Sequence, residues 1–206
     1  MTKILIFFLF AINPNLTSQD IIINSFDDHK IHGSLLKHKK SKSDLVVIIP
    51  GSGPTDRNGN NSSIKSDYLK LLSQELYKYK ISSFRYDKRG VAESLGNIKL
   101  ANEIKFQDFV KDVKEIIKYF RQSNHYNSIT LIGHSEGSLI GMIASQKSDV
   151  DKFVSIAGAG EDYLTVIQRQ LSNQPPYIKS MSDPIIEQLR NKKLVDSIPP
   201  LLNNLF

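Results

Sequence analysis

Residues 128–144 read SITLIGHSEGSLIGMIA: a short apolar run, a Gly-x-Ser-x-Gly turn at residues 133–137, and a second apolar run. Ile129, Leu131 and Ile132 make a β-rich segment, whereas Leu139, Ile140, Met142 and Ile143 fit one face of a helix, so the hydrophobic period changes at the turn. Strand, elbow and helix follow from that change. A serine in so sharp a turn needs neighbours without side chains, which Gly133 and Gly137 supply, and Ser135 is then left exposed at a helix N-terminus. The helix end favours developing negative charge, and the amide of Glu136 is placed to donate to it. Ser135 is therefore the candidate nucleophile. The other reading is a glycine turn that only packs closely or binds an anion.

Upstream, residues 45–49 (LVVII) are continuously apolar and mostly β-branched, as suits a strand buried on both faces of a parallel sheet. That strand runs into PGSGPTDRNGN (residues 50–60), a loop at the strand's C-terminal end, where open α/β sheets bind ligands. Gly51 and Gly53 let backbone amides turn inward, and the amide of Ser52 joins that of Glu136 as a candidate oxyanion donor. Asp56 and Arg57 are expected to brace the loop. A second loop on the same edge, beginning RYDKRG at residues 85–90, brings Asp87 and Arg89, expected to pair with each other or with Asp56 and Arg57.

The remaining segments fill in an alternating order. Two β-rich runs around residues 27–29 (DDH) predict an antiparallel hairpin at a sheet edge. Tyr68, Leu69, Leu72 and Leu76 predict a helix starting at a Ser66-Asp67 cap, and residues 81–86 a strand. Phe106, Phe109, Val110, Val113, Ile116, Ile117 and Phe120 step by three and four as a strong helix. Residues 152–157 supply one more strand. Beyond it, residues 161–170 and 183–193 look helical but are interrupted by proline pairs, which suggests lid pieces over a site. Their apolar Leu164, Val166, Ile167 and Leu171 suit either an acyl chain or packing on the elbow helix. The fold expected is α/β, a mostly parallel sheet with helices on both faces.

At 206 residues, with 40% hydrophobic and 23% charged residues, the chain suits one globular domain. Its net charge of +6 is spread among interleaved acids, so no nucleic-acid partner is implied, and the basic run at residues 37–42 reads as a solvated turn. Residues 4–12 (ILIFFLFAI) follow Lys3 and are too short to span a bilayer, so residues 1–18 are read as a signal peptide and the domain as exported. No stable membrane span is expected after cleavage. With no cysteine, disulfides and a cysteine-linked lipid are excluded.

The elbow at residues 133–137, the loop at 50–59, the RYDKRG motif at 85–90 and VSIAGAG at 154–160, in this order, resemble the α/β-hydrolase superfamily, most closely bacterial exported esterases and serine-aminopeptidase-like members. The resemblance covers residues 20–206. It implies Ser135 as nucleophile, the amides of Ser52 and Glu136 as oxyanion hole, an ester or amide substrate, and neither metal nor organic cofactor.

One departure qualifies it. In such enzymes the acid and histidine follow the serine in the chain. Here all five histidines, His29, His32, His38, His125 and His134, precede Ser135. The acids after it, Asp149, Asp151, Asp162, Asp183 and Asp196, do not stand at the end of a clear later strand. The sequence thus reads as a partial α/β-hydrolase fold, shortened at its C-terminus and lacking the last strands. Two expectations follow: a serine hydrolase by family, or a catalytically impaired remnant that binds a ligand or partner. Either way, an open sheet edge would favour self-association.

Overall fold

The computed structural model describes residues 16–39, 42–96 and 103–202. Most of the expected leader, residues 1–15, lies outside the described residues, as does part of the basic run at 37–42. The strands are β1 (Gln19–Asn24), β2 (Lys30–Leu36), β3 (Ser43–Ile49), β4 (Ser82–Tyr86), β5 (Tyr126–His134) and β6 (Lys152–Ile156). They form one sheet in the order β1-β2-β4-β3-β5-β6. The hairpin β1–β2 sits at one edge and joins β4 antiparallel, while β4, β3, β5 and β6 run parallel. The C-terminal ends of those four strands consequently share one edge, which gathers the loop after β3, the loop after β4 and the elbow after β5.

Alternation along the strands divides the core between two faces. Leu45, Val47, Ile49, Phe84, Ile129 and Leu131 point to one face and are covered by α2 (Phe106–Ser123) and α3 (Glu136–Ser145). Val46, Ile48 and Ile132 point to the other, under Leu69 and its neighbours on α1 (Tyr68–Lys78). The β-branched run in β3 is thus buried on both sides, as a central parallel strand requires.

Three expectations are corrected. Asp67 does precede α1, but its backbone is left-handed (φ 53°) and its side chain caps nothing. It accepts instead from the Asn60 side chain at 2.7 Å, tying the helix start to the loop after β3. The strand β6, expected like the others to be a buried run, is largely exposed, and among the described residues it has a sheet neighbour on one side only. The terminal helices are α4 (Tyr163–Leu171) and α5 (Pro176–Arg190), and α5 starts seven residues earlier than its apolar pattern suggests. Ile167 and Leu171 pack with Ile178, Ile185, Ile186 and Leu202 in a cluster of their own. That cluster accounts for the burial of Ile167 and Leu171 by the helix pair itself.

Candidate active site

Ser135 joins β5 to α3 with φ 53° and ψ −120°, a conformation that costs a non-glycine residue about 1–3 kcal/mol and persists only where the surroundings impose it. The surroundings here are identifiable. The Ser135 amide donates to the Ile156 carbonyl at 2.9 Å, and the Ser138 hydroxyl donates to the Gly133 carbonyl at 2.6 Å, so β6 and the first turn of α3 clamp the elbow. The helix also crosses the sheet edge too closely for side chains: a β-carbon at Gly133 would strike the Gly137 carbonyl, and one at Gly137 the carbonyls of Ile49 and Pro50.

The loop after β3 lies directly against this elbow. A β-carbon at Gly51 would stand 3.4 Å from the Ser135 β-carbon and 3.1 Å from His134 Nδ1. Ser52 is exposed, and Gly53 turns the chain with φ 72°, with Thr55 N donating back to its carbonyl at 2.9 Å. Asp56 braces the loop from within, accepting from the amides of Asn58 and Asn60 at 2.8 and 2.9 Å. Arg57 braces it from without. Its amide and guanidinium bind Asp87 at 2.7, 3.0 and 2.6 Å, and it reaches Glu93 as well.

Arg89 corrects the expected pairing. It holds Asp27 in the hairpin turn at 2.5 and 2.8 Å and the buried Asp112 of α2 at 3.1 and 2.7 Å, and pairs with neither Asp56 nor Asp87. Burial alone would lower both guanidinium pKa values, but hydrogen bonds to Asp87 and Glu93 raise that of Arg57, and those to Asp27 and Asp112 raise that of Arg89. The hydrogen bond from Arg89 in turn holds the Asp27 carboxyl below its usual range.

Lys88 carries no role in the sequence reading, yet it is the buried cation nearest the elbow. Only 3% exposed, it donates from Nζ to the Gly51 carbonyl at 2.6 Å and to Glu136 Oε2 at 3.0 Å. The signal available in the sequence was the density of charge at the end of a strand: Arg85, Asp87, Lys88 and Arg89 are all buried.

Among the described residues no side chain hydrogen-bonds the Ser135 hydroxyl. The His134 imidazole is occupied by the Tyr68 hydroxyl at 3.2 Å from Nδ1, with the rings edge to face. Burial pushes the Tyr68 phenol up, against a backbone hydrogen bond with Gly51. His29 contacts the Ser94 carbonyl at 2.9 Å, and His125 is exposed. Four of the later acids have structural partners of their own. Asp149 and Asp151 pair with Arg121, Asp162 caps α4 through Thr165 N at 3.0 Å, and Asp183 pairs with Lys179 at 2.7 Å. Asp196 is exposed. Tyr163, at the start of α4, has its phenol pushed up by burial and by the charge of Glu136. Among the described residues no group of His, Asp and Glu could hold a metal ion.

The family model described as serine aminopeptidase, S33 (Hydrolase_4) matches residues 63–198, which include the elbow. Among solved structures, the chain is similar to the esterase Pf2001 of Pyrococcus furiosus, at 17% identity and a TM-score of 0.63, over 87% of this chain and 64% of that one. It is equally similar to the alpha/beta hydrolase GrgF from Penicillium sp. sh18, at 16% identity and 0.63, over 92% and 63%. A third likeness is to Est1E from Butyrivibrio proteoclasticus, at 17% and 0.54, over 73% and 54%. Likeness at such identities shows the fold, and the fold matches that expected from the motifs. The chain spans less than two thirds of the length of each of these proteins. A search of curated proteins gives no match.

Proposed function

As the chain belongs to the serine aminopeptidase S33 family of α/β hydrolases, we propose that it cleaves carboxylic esters or amides by way of an acyl group carried on Ser135. The hydroxyl oxygen attacks the carbonyl carbon and its proton passes to solvent. The bond to the leaving alcohol or amine breaks as that group takes up a proton, and water then attacks the acyl-enzyme to release the acid and restore the serine. The amides of Ser52 and Glu136 receive the oxyanion. The observation that carries this reading is the backbone of Ser135, a non-glycine residue at φ 53° and ψ −120° between a parallel strand and a helix. Leu164, Ile167 and Leu171 pack within the helix pair, so the reading takes esters and amides together. From the apolar run at residues 4–12 we further propose that this chemistry takes place outside the cytoplasm.

A fluorophosphonate probe tests the reading, because it labels only an activated serine. A positioned base contributes about 10²- to 10⁴-fold, and none contacts Ser135 among the described residues. Labelling of this chain should therefore be slower by that order than in a hydrolase with a complete triad, and Ser135→Ala should abolish it. Wild-type labelling no faster than that of Ser135→Ala would refute the acyl-transfer reading. The second reading, a ligand- or partner-binding module, is favoured by the same unaccompanied hydroxyl. We also propose that the open edge of β6 pairs with a second copy of the chain.

A further inference from the structure

We propose that Lys88 is the positioning residue that sets the oxyanion hole, holding both of its halves from one buried ammonium group. The two candidate donors are the amide of Ser52, in the loop after β3, and the amide of Glu136, the first residue of α3. The two lie in segments far apart along the chain, so local backbone geometry does not fix one relative to the other. Lys88 Nζ touches both segments, through the Gly51 carbonyl at 2.6 Å and the Glu136 carboxylate at 3.0 Å.

The contact with Gly51 also sets a direction. In a planar trans peptide, the carbonyl of Gly51 and the amide of Ser52 point to opposite sides. Drawing the carbonyl inward to a buried cation turns the Ser52 N–H away from the core, on the stretch of loop that lies against Ser135. A rotated peptide would aim a carbonyl there instead, and a carbonyl repels an oxyanion. The contact with Glu136 holds the first turn of α3 in register with that loop. Burying an ammonium group is costly unless its donors are met. A plain ion pair with Glu136 would serve that need at the surface, whereas here the lysine is nearly inaccessible and spends its shorter hydrogen bond on the peptide that carries the donor. Phe109 closes the pocket from α2, its ring centroid 5.2 Å from Nζ.

The chemical consequence rests on the acyl-transfer reading of Ser135, while the geometric half stands without it. The experiment therefore has two arms on the full chain. In the first, fluorophosphonate labelling is followed against probe concentration for wild type, Lys88→Met and Lys88→Arg. Loss of one oxyanion donor typically costs about 10²- to 10³-fold, so Lys88→Met should lower the maximal labelling rate about 100-fold with little change in half-saturation, and Lys88→Arg should recover part of it. In the second, the crystal structure of Lys88→Met should show the Gly51–Ser52 peptide rotated. A variant that labels at the wild-type rate, or that keeps this peptide unturned, overturns the proposal. Should wild type fail to label, the acyl-transfer reading falls and the peptide orientation alone decides the role of Lys88. Should Lys88→Met fail to fold, Glu136→Gln takes its place in both arms, with a smaller loss of rate and a displaced first turn of α3 expected, and wild-type behaviour in either counting against the proposal.

Discussion

Arg89 illustrates how a single residue ties the site edge to the rest of the sheet. It links the hairpin turn through Asp27 and α2 through Asp112, partners 62 and 23 residues away. Its hydrogen bond lowers the Asp27 pKa below the ordinary 3.8, so the folded state binds that proton less readily than the unfolded chain. A depressed carboxyl contributes stability that is present above the unfolded pKa and is lost as pH falls through the folded one. Asp27→Asn should therefore destabilise the protein at pH 7, and the difference from wild type should close as pH falls below about 4. Because Asp27 is 41% exposed, solvent screening keeps the effect modest. Urea unfolding of both proteins between pH 3 and 7 measures it, and a difference independent of pH would sink the idea. The same distances explain what the sequence left unread. The motif made the charges at residues 85–90 conspicuous, and the Arg57–Asp87 pair was foreseeable from two loops on one edge. The partners of Arg89, and the bridge made by Lys88, depend on how far apart segments meet, which no local pattern records.

Elements with a strong period were legible, and those interrupted by proline were not. Both helices over the main core and all six strands follow from their apolar spacing, and the elbow follows from its change of period. For α5 the sequence suggested a start near Asp183, because the proline pair at residues 175–176 reads as a break in the run. The helix instead begins at Pro176 and carries Pro184 inside it. Tertiary packing accounts for this: Ile178 lies before the proline and Ile185 and Ile186 after it, and all three join one cluster with α4. That cluster is separate from the two that cover the sheet, so the helix pair should open as a unit of its own. Ile186→Ala, at a position 2% exposed, should cost about 2–5 kcal/mol of local stability. Amide exchange should accelerate throughout α4 and α5 while Val47 and Leu131 in the sheet keep their protection. Equal acceleration in both places would show that the helix pair and the sheet unfold together.

At the scale of the whole molecule, the two ends of the sheet differ in how they meet solvent. The β1 edge belongs to a hairpin with its own turn, whereas β6 is a parallel strand that, among the described residues, has a single neighbour and an open outer side. Residues two apart on a strand share a face, so Val154 and Ile156 lie together, and they are 43% and 39% exposed. The cover supplied by α1 explains why. Leu69 reaches Val46, Ile48 and Ile132, and Ile132 is the β5 neighbour of Val154, so the helix stops one strand short. Phe153, on the opposite face, is packed into the core beside Gly141 of α3. An apolar strand with free N–H and C=O groups along its edge is a template for pairing with another chain. Sedimentation velocity across a concentration series should accordingly show reversible self-association of wild type. A lysine directed into that surface opposes it, so Val154→Lys should shift the equilibrium toward monomer with little loss of thermal stability, since the side chain it replaces is nearly half exposed. A wild-type protein that sediments as a monomer at every concentration would mean that some other part of the chain shields this edge, and pairing of copies through β6 would then be ruled out.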